Sequence, residues 1–531
     1  MDSTSLLKTR VCILNDSRCI AGRCDWIVFR ETIQKAKEIP EYIYLNLSEG
    51  NPGGAHRDLH GASKTFCFFM NSVLATLTSP FTLVVGTADF TFPFCLYDCR
   101  YPKIENIDQH LKTLFSNTFF RKAFVENLDT DHLRFEPIPL GILGPVINDI
   151  EHIKDIPSSD KRDINLFLCH RSRPDEEQFS IRKHVDEVSK QWNVSNYTRI
   201  ISVENSDVKT GVGFGIDKKE YIEYLKRSRF CICTTGGGLD PCPKAWEAIA
   251  MGCIPIIKTS TMDRVWRKLP VIIVNKWDKD TITEEKLDRW YSRLKDEHTE
   301  PRRSENIKML TNEYWFNFIK ESSMKPVEYP RFIHITKTAG TAIEDCGKKY
   351  GINWGRHDQL YMNNTLSPGG VRWHKRLDVK NKLDTLSKFK WFAVVRNPYT
   401  RVLSEILWIR QSKFGSNHSF TNDVEMNSLI RFYLDKVKTN QNFDKVIDVH
   451  GNHFTPQHTY ISKQLNIHVL KFENLANEFS KLMKQYDLDI HLEKSNSTNK
   501  GGYSVANFDK ETVALIQEVY REDFKRFGYT I

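Results

Sequence analysis

The stretch FIHITKTAGTAIE, residues 332–344, joins an apolar run to a polar turn and then to a helical pattern. We predict a strand that ends at Ile335, a turn over residues 336–341 and a helix beyond it. Small residues in such a turn let backbone N–H groups converge on an oxyanion, and the helix N-terminus adds partial positive charge. The phosphate loop of ATPases, G-x-x-x-x-G-K-[ST], is not matched, because Lys337 precedes Gly340. The stretch therefore predicts an anion site of another kind, in an α/β fold.

A second junction of the same kind follows in VVRNPYTRVLSE, residues 394–405. Arg396 stands at the end of a predicted strand, and Pro398 stands at the start of a helix, where proline is well tolerated. Ser404 lies two turns into that helix. A guanidinium at a strand end together with a helix hydroxyl makes a second phosphate clamp. Two clamps suit two well-separated phosphates on one nucleotide.

Residues 331–531 resemble carbohydrate sulfotransferases. The first junction is similar to their 5′-phosphosulfate loop, usually P-K-T-G-G-T-S, with Thr336 in place of proline and Ala339 in place of glycine. The second junction is similar to their 3′-phosphate motif, R-N-P-Y-x-R-x-x-S. Further elements resemble the family in the same order: HFTPQHTYI (453–461), VLKFENL (469–475), the lysine–glycine loop STNKGGYS (497–504) and the closing helix VYREDFKRFGY (519–529).

The resemblance implies transfer of a sulfuryl group from 3′-phosphoadenosine 5′-phosphosulfate to a hydroxyl of a glycan or a glycosylated metabolite, with adenosine 3′,5′-bisphosphate as the product. Lys337 would stabilise the charge on the leaving oxygen. A base must take the acceptor's proton; we favour His374, then His357, while Glu344 and His453 stay open. No metal is predicted. The residues predicted to bind the donor are Lys337, Thr338, Ala339, Gly340, Thr341, Arg396, Ser404, Lys500 and Gly501.

The N-terminal half contains YIEYLKRSRFCICTTGGGLDPCPKAWEAIAMGCIPIIKTS, residues 221–260, in which a glycine triplet separates a predicted strand from a helix. Such a turn before a helix N-terminus suits a diphosphate. The stretch resembles exostosin-like glycosyltransferases (glycosyltransferase family 47), and the resemblance extends loosely over residues 40–320. It implies a two-lobed GT-B fold and a UDP- or GDP-sugar donor, although Lys244 stands where arginine is usual and lacks the bidentate fork. The residues predicted to bind the nucleotide-sugar are Arg171, Arg182, Gly237, Gly238, Asp240, Lys244 and Glu247.

Length and charge set the outer limits of this interpretation. At 531 residues the chain suits about three folding units. Lys and Arg number 76 against 67 Asp and Glu, an excess of +9 that suits an anionic ligand and is too weak to indicate nucleic acid. We predict a GT-B-like domain over residues 1–325, with lobes at about 1–155 and 156–325. A P-loop-like α/β sulfotransferase domain with a central parallel sheet is predicted over residues 326–531.

These features together predict a bifunctional carbohydrate-modifying enzyme. Two alternatives stay open: a sulfotransferase whose N-terminal domain only binds glycan, and a nucleotide-binding scaffold without chemistry. We recognise no signal peptide and no membrane-spanning run, so we expect a cytoplasmic location. A secretory-pathway enzyme with a removed anchor is the alternative location, and the oligomeric state stays open.

Overall fold

The computed structural model describes most of the chain. It divides into two compact units, Met1–Pro326 and Val327–Ile531. The described residues are 14–15, 19–48, 58–97, 101–141, 161–172, 180–203, 216–236, 238–241, 243–299, 301–326, 328–358, 374–414, 420–439, 451–492 and 502–531.

The first unit begins with a sheet of six described strands. They are β1 (Trp26–Phe29), β2 (Thr32–Lys35), β3 (Tyr42–Asn46), β4 (Phe81–Gly86), β5 (Phe120–Val125) and β6 (Phe135–Pro137). Their order is β2-β1-β3-β4-β5-β6, and every pairing is parallel except that of β1 with β2. Every residue of β3 and β4 is buried, as expected when both faces of a parallel sheet are covered. The helices of this region are α1 (Gly61–Phe68) and α2 (Ile107–Ser116).

A second sheet in the same unit is wholly parallel among its five described strands. They are β7 (Ile164–Ser172), β8 (Tyr197–Val203), β9 (Ser228–Ile232), β10 (Ile254–Lys258) and β11 (Ile272–Val274). Their order is β11-β10-β9-β7-β8. The helices that accompany this sheet are α3 (Ser180–Ser189), α4 (Lys218–Arg227), α5 (Pro243–Ala250), α6 (Asp263–Trp266), α7 (Glu284–Leu294), α8 (Arg302–Lys308) and α9 (Asn312–Met324).

Helix α9 follows the second sheet in the chain but packs on the first. Phe316 lies 5.4 Å from Tyr42 of β3, and Phe318 lies 6.0 Å from Phe124 of β5, measured between ring centroids. The end of the first unit therefore returns to its beginning. The two sheets, parallel except for the pairing of β1 with β2, confirm the predicted α/β class.

The second unit contains a smaller parallel sheet. Its described strands are β12 (Arg331–Ile333), β13 (Trp391–Val395) and β14 (Ile467–Lys471), in the order β12-β13-β14. Its described α-helices are α10 (Gly340–Lys349), α11 (Val379–Leu386), α12 (Pro398–Phe414), α13 (Asp423–Thr439), α14 (Leu475–Lys484), α15 (Lys510–Val519) and α16 (Arg521–Phe527). Because parallel strands end at the same edge of a sheet, the turns that follow β12 and β13 lie side by side.

Two boundaries of the second unit bear on the sequence predictions. Helix α12 begins at Pro398, as predicted. Strand β12 ends at Ile333 rather than at Ile335, because its ladder with β13 stops at the pair Ile333 and Ala393. Among the helices that the structure describes, none is long and apolar enough to cross a membrane.

Candidate functional site

The turn after β12 is tightly wound. Lys337 and Ala339 both adopt left-handed backbone conformations, with φ of 55° and 70°. The buried hydroxyl of Thr338 donates to the carbonyl of Ile335 over 2.8 Å and so closes the turn from inside. Ala339 is the residue before the first residue of helix α10. The N-terminus of α10 therefore lies at the turn. The predicted combination of a lysine and a helix N-terminus is therefore present.

The first residue of α10 must be a glycine, Gly340, because a side chain at this position would collide with a buried ring. A Cβ atom there would lie 2.0 Å from Nε2 of His334, whose ring is buried beneath the helix. His334 is held by Glu344 of the same helix, with 2.7 Å between Nδ1 and the carboxylate. The histidine before the turn thus fixes how closely α10 approaches the strand. Thr341 follows Gly340 and is exposed.

The turn after β13 contacts the first turn directly. Nη1 of Arg396 donates to the carbonyl oxygen of Lys337 over 3.2 Å, and Nε donates to the hydroxyl of Thr400 over 3.1 Å. The guanidinium lies 4.1 Å from the ring centroid of Phe472. Burial lowers the pKa of Arg396, and nearby Glu473 opposes that shift. The two predicted anion-binding junctions are therefore adjacent, with their cations on one edge of the sheet.

Arg401 joins these turns to a third segment from within. Its side chain is 1% exposed, and Nε donates to the carbonyl of Thr336 over 3.1 Å. Nη2 donates to the hydroxyl of Thr336 over 2.8 Å and to the carbonyl of His453 over 2.7 Å. The Thr336 hydroxyl in turn donates to the same His453 carbonyl over 2.8 Å. Thr336 stands where proline is usual in carbohydrate sulfotransferases, and its hydroxyl makes hydrogen bonds with Arg401 and His453 that proline could not make.

The ammonium of Lys337 lies over an aromatic ring and near a carboxylate. Nζ is 5.6 Å from the ring centroid of Trp408. Burial lowers the pKa of Lys337 and Arg396 acts in the same direction, while Glu405 opposes both. Glu405 is 1% exposed and lies 3.1 Å from Nδ1 of His453. A buried carboxylate thus faces the cations of this site.

The ring of His374 contacts two other histidine rings beside the turn. The ring of His374 lies edge-on to His334 at 4.5 Å and to His453 at 5.0 Å, between centroids. His453 stacks on Trp408 at 4.9 Å. Burial lowers the pKa of His374, with His334 and His453 acting in the same direction. A neutral imidazole can accept a proton, but a lowered pKa also makes it a weaker base.

The other sequence-predicted residues of the second unit lie in different surroundings. His357 lies in a short 3₁₀ turn, where its Nε2 accepts a hydrogen bond from Nε of Arg356 over 3.3 Å. Ser404 lies within α12 and is half-buried. Lys500 and Gly501 lie outside the described residues.

Sequence reasoning missed residues that support the site from a distance. Gln457 exchanges two hydrogen bonds of 2.8 Å with the backbone of Arg396. Glu405 and Trp408 were also missed. The quoted motif HFTPQ contained Gln457, but its partner stands 61 residues earlier. Spacing along the chain carries no signal for such a pair.

In the first unit, the glycine-rich turn packs against the end of β5. A Cβ atom on Gly238 would lie 2.5 Å from Oδ1 of Asn127, so the close approach requires glycine. The same oxygen accepts from the backbone N–H groups of Leu239 and Asp240, both at 3.0 Å. The Asp240 carboxylate accepts from the N–H of Leu140 over 3.1 Å. This turn therefore links the two sheets of the unit.

Cationic side chains gather beside this turn. Nε of Arg182 donates to the carbonyl of Thr235 over 3.2 Å. Burial lowers the pKa of His170 to about 2, and the charges of Lys244 and Arg182 act in the same direction. Glu247 of α5 is buried; the pKa of Tyr221 is raised by its own burial and secondarily by the charge of Glu247. Gly237 and the side chain of Arg171 lie outside the description.

Comparison with known proteins bears mainly on the second unit. Residues 329–530 match the family described as "Sulfotransferase family". The C-terminal unit is thus similar to the sulfotransferase family over nearly its whole length, which supports the predicted transferase. The comparison with curated proteins found no match.

Several solved structures match the chain, and one of them is an α1,3-fucosyltransferase with a weak likeness. The crystal structure of an α1,3-fucosyltransferase is similar at 12% identity and a TM-score of 0.24, over 54% of this chain and 79% of that one. A likeness at this score supports no inference about the first unit. The exostosin-like resemblance stays a prediction. Among the described residues, no group of three or more His, Cys, Asp or Glu side chains is arranged to hold a metal ion.

Proposed function

We propose that the second unit transfers a sulfuryl group from 3′-phosphoadenosine 5′-phosphosulfate to a hydroxyl of a glycan or a glycosylated metabolite. The observation that carries this proposal is the 3.2 Å hydrogen bond from Arg396 to the carbonyl of Lys337. It joins two cationic strand ends within a domain of the sulfotransferase family. A donor with a 5′-phosphosulfate and a 3′-phosphate supplies one anion for each strand end.

The donor contacts divide between the two junctions. Backbone N–H groups at the start of α10 and the ammonium of Lys337 bind the 5′-phosphosulfate. Arg396 and Ser404 bind the 3′-phosphate, since a guanidinium matches phosphate oxygens in a bidentate way. The full proposed set is Lys337, Thr338, Ala339, Gly340, Thr341, Arg396, Ser404, Lys500 and Gly501.

The reaction forms a bond between the acceptor oxygen and sulfur and breaks the bond between sulfur and the bridging oxygen of the donor. Negative charge develops on that bridging oxygen, and Lys337 stabilises it. The acceptor's proton goes to His374, whose pKa is lowered by burial beside His334 and His453. His357 is the second candidate for this role. The product is adenosine 3′,5′-bisphosphate.

We further propose that residues 1–325 form a glycosyltransferase domain with lobes at about 1–155 and 156–325, and that residues 326–531 form the sulfotransferase domain. The cationic group around Arg182 and Lys244 suits the diphosphate of a UDP- or GDP-sugar. The proposed contacts are Arg171, Arg182, Gly237, Gly238, Asp240, Lys244 and Glu247. The chain is then bifunctional, and tethering raises the local concentration of the shared carbohydrate.

One observation favours a second candidate for the first unit. The carboxylate of Asp240 is buried and already accepts the N–H of Leu140, and Glu247 is 3% exposed. Of the proposed donor contacts, Asp240 is thus hydrogen-bonded within the fold and Glu247 is buried in it. A first unit that binds glycan without turnover fits this engagement. Binding and turnover of UDP- and GDP-sugars by the full chain, and by its Lys244→Ala variant, separate the two candidates.

The sulfotransferase proposal is tested on the full chain with a radiolabelled sulfate donor and a panel of carbohydrate acceptors. Lys337→Ala is expected to lower the turnover number about 10²- to 10³-fold, the usual effect of losing one group that stabilises developing charge. Lys348→Ala is the matched control, because Lys348 is an exposed lysine in the last turn of α10, the helix that follows the Lys337 turn. Equal turnover by the Lys337 and Lys348 variants would contradict the catalytic role of Lys337, whereas a native chain that transfers no sulfate to any acceptor would favour the scaffold alternative.

A further inference from the structure

The last residues of the chain are connected by hydrogen bonds to the Arg396 junction. Helix α16 contains Asp523, and Tyr529 follows the helix. Asp523 is 0% exposed although it carries a carboxylate. A carboxylate is buried at low cost only when its oxygens are well hydrogen-bonded. Its partners therefore explain why it lies there.

The first connection runs from Asp523 through Gln457. The Asp523 carboxylate accepts from the backbone N–H groups of Gln457 and His458, both at 2.8 Å. It also contacts Nδ1 of His458 at 2.7 Å. Gln457 then accepts from the N–H of Arg396 and donates to its carbonyl, both at 2.8 Å. The side chain of Gln457 thus fixes both the N–H and the carbonyl of Arg396. Asp523 in turn holds the backbone of Gln457.

The second connection runs from Tyr529 through Glu473. The Tyr529 hydroxyl donates to Oε2 of Glu473 over 2.9 Å. Oε1 of Glu473 accepts from the N–H of Asn397 over 2.9 Å. The residue after Arg396 is therefore fixed by a separate path. Because the two paths share no side chain, they are independent observations.

The junction needs such partners for a physical reason. Arg396 and Asn397 follow the last residue of β13 and precede the first residue of α12, so their N–H groups are not paired in the sheet or the helix. Without side-chain partners the peptide groups could rotate, and the guanidinium would move with them. A site that must match a phosphate in a bidentate way tolerates only about 0.5 Å of displacement.

We propose that Asp523 and Tyr529 are positioning residues for the 3′-phosphate clamp of the donor, acting through Gln457 and Glu473 on the backbone of Arg396. This inference rests on the proposed sulfuryl donor and adds residues that it does not include. Neither residue contacts the donor in this account. Their effect is to direct the Arg396 guanidinium, so their loss changes the recognition of one phosphate and leaves the other phosphate's site intact.

The test measures discrimination between two nucleotides rather than affinity alone. Calorimetry on the full chain gives dissociation constants for adenosine 3′,5′-bisphosphate and adenosine 5′-monophosphate. The dissociation constant of the monophosphate divided by that of the bisphosphate reports recognition of the 3′-phosphate, and below it is called the ratio. Asp523→Asn turns one acceptor oxygen into a donor and is expected to shrink the ratio about tenfold, the usual scale for a buried hydrogen bond to a charged group. Tyr529→Phe loses one partly exposed hydrogen bond, and a drop of about threefold is expected.

Asp509→Ala is the matched control. Asp509 caps helix α15 through the N–H of Thr512 at 2.8 Å and pairs with Arg431 at 2.7 Å. Its loss destabilises the same C-terminal region without a described connection to Arg396, so the ratio is expected to stay as in the native chain. Tyr529→Phe keeps the test valid if Asp523→Asn fails to fold.

The outcomes separate the two proposals. A smaller ratio in both variants, with the control unchanged, supports the positioning role. A ratio that both variants preserve overturns that role and leaves the donor proposal intact. A native chain that binds neither nucleotide overturns the donor proposal and this inference with it.

Discussion

Replacement of Arg401 by methionine tests whether the turn that contains Lys337 is held from inside the second unit. The native guanidinium donates three hydrogen bonds, two to Thr336 and one to the carbonyl of His453, and is 1% exposed. Methionine fills much of the same volume but donates none of these bonds. The carbonyl of Thr336 then loses its described side-chain donor in the interior.

The expected cost follows from those contacts. A hydrogen bond from a charged group contributes about 1.5–3 kcal/mol, and bonds that break together are not additive. We therefore expect Arg401→Met to lower the local free energy of opening by about 3–5 kcal/mol. Every 1.4 kcal/mol is a factor of ten, so amide exchange in this region should accelerate by about 10²- to 4 × 10³-fold.

Hydrogen exchange read by mass spectrometry on the full chain is the suitable assay. It reports the peptides around residues 331–349 separately from the first unit, which avoids assuming a single unfolding step for a chain of two units. Arg410→Met is the control on the same helix, because Arg410 is paired with Glu425 at 3.1 Å and a partly exposed pair contributes only about 1 kcal/mol or less. Exchange near the turn that is equally fast in native, Arg401 and Arg410 proteins would refute this account of the turn.

Two further substitutions test local backbone and protonation. Ala339→Gly should stabilise the second unit by up to about 1 kcal/mol, because Ala339 has φ of 70° and glycine adopts this conformation without the left-handed penalty. The greater chain entropy that glycine loses on folding offsets part of that gain. A lower unfolding midpoint in urea for the variant would contradict the prediction. Burial, and secondarily Arg134, lowers the pKa of His132 to about 4. Between pH 6.5 and 4 the unfolded chain therefore binds a proton at this residue that the folded chain does not. Because of this difference, stability falls on acidification by about 1.4 kcal/mol per pH unit. His132→Asn keeps an acceptor for the N–H of Arg134. The unfolding free energy of this variant should change less steeply between pH 7 and pH 5 than that of the native chain, because one fewer proton is taken up on unfolding. An unchanged slope would exclude His132 as the source of the pH dependence.

The sequence was informative where function depends on neighbours in the chain. The order strand, polar turn and helix around Lys337, and the proline at the start of α12, are local patterns with local causes. They predicted the α/β class and the two junctions. Strand β12 nevertheless stops at Ile333, because its length is set by pairing with β13 and not by its own apolar residues.

Contacts between distant residues could not be predicted in this way. Asp523 contacts Gln457 across 66 residues, and Arg401 contacts His453 across 52. A buried Asp in a closing helix and an Arg one turn into a helix look the same in sequence whether they face solvent or a carbonyl. Only the fold brings these acceptors to them. The same holds for Asn127, which fixes the glycine-rich turn of the first unit across 112 residues.

The two departures from the usual phosphosulfate loop have opposite physical effects. Thr336 adds a hydroxyl that bonds to Arg401 and to His453, whereas Ala339 introduces a strained conformation with φ of 70°. A strained residue persists only where its surroundings determine its conformation more strongly than its own preference does. Here the surroundings are the buried guanidinium of Arg401 on one side and the ring of His334 beneath Gly340 on the other. The shape of the loop therefore depends on this buried polar support more than on the loop's own sequence, and for that reason a substitution at Arg401 should disturb the position of Lys337 more than one at Ala339.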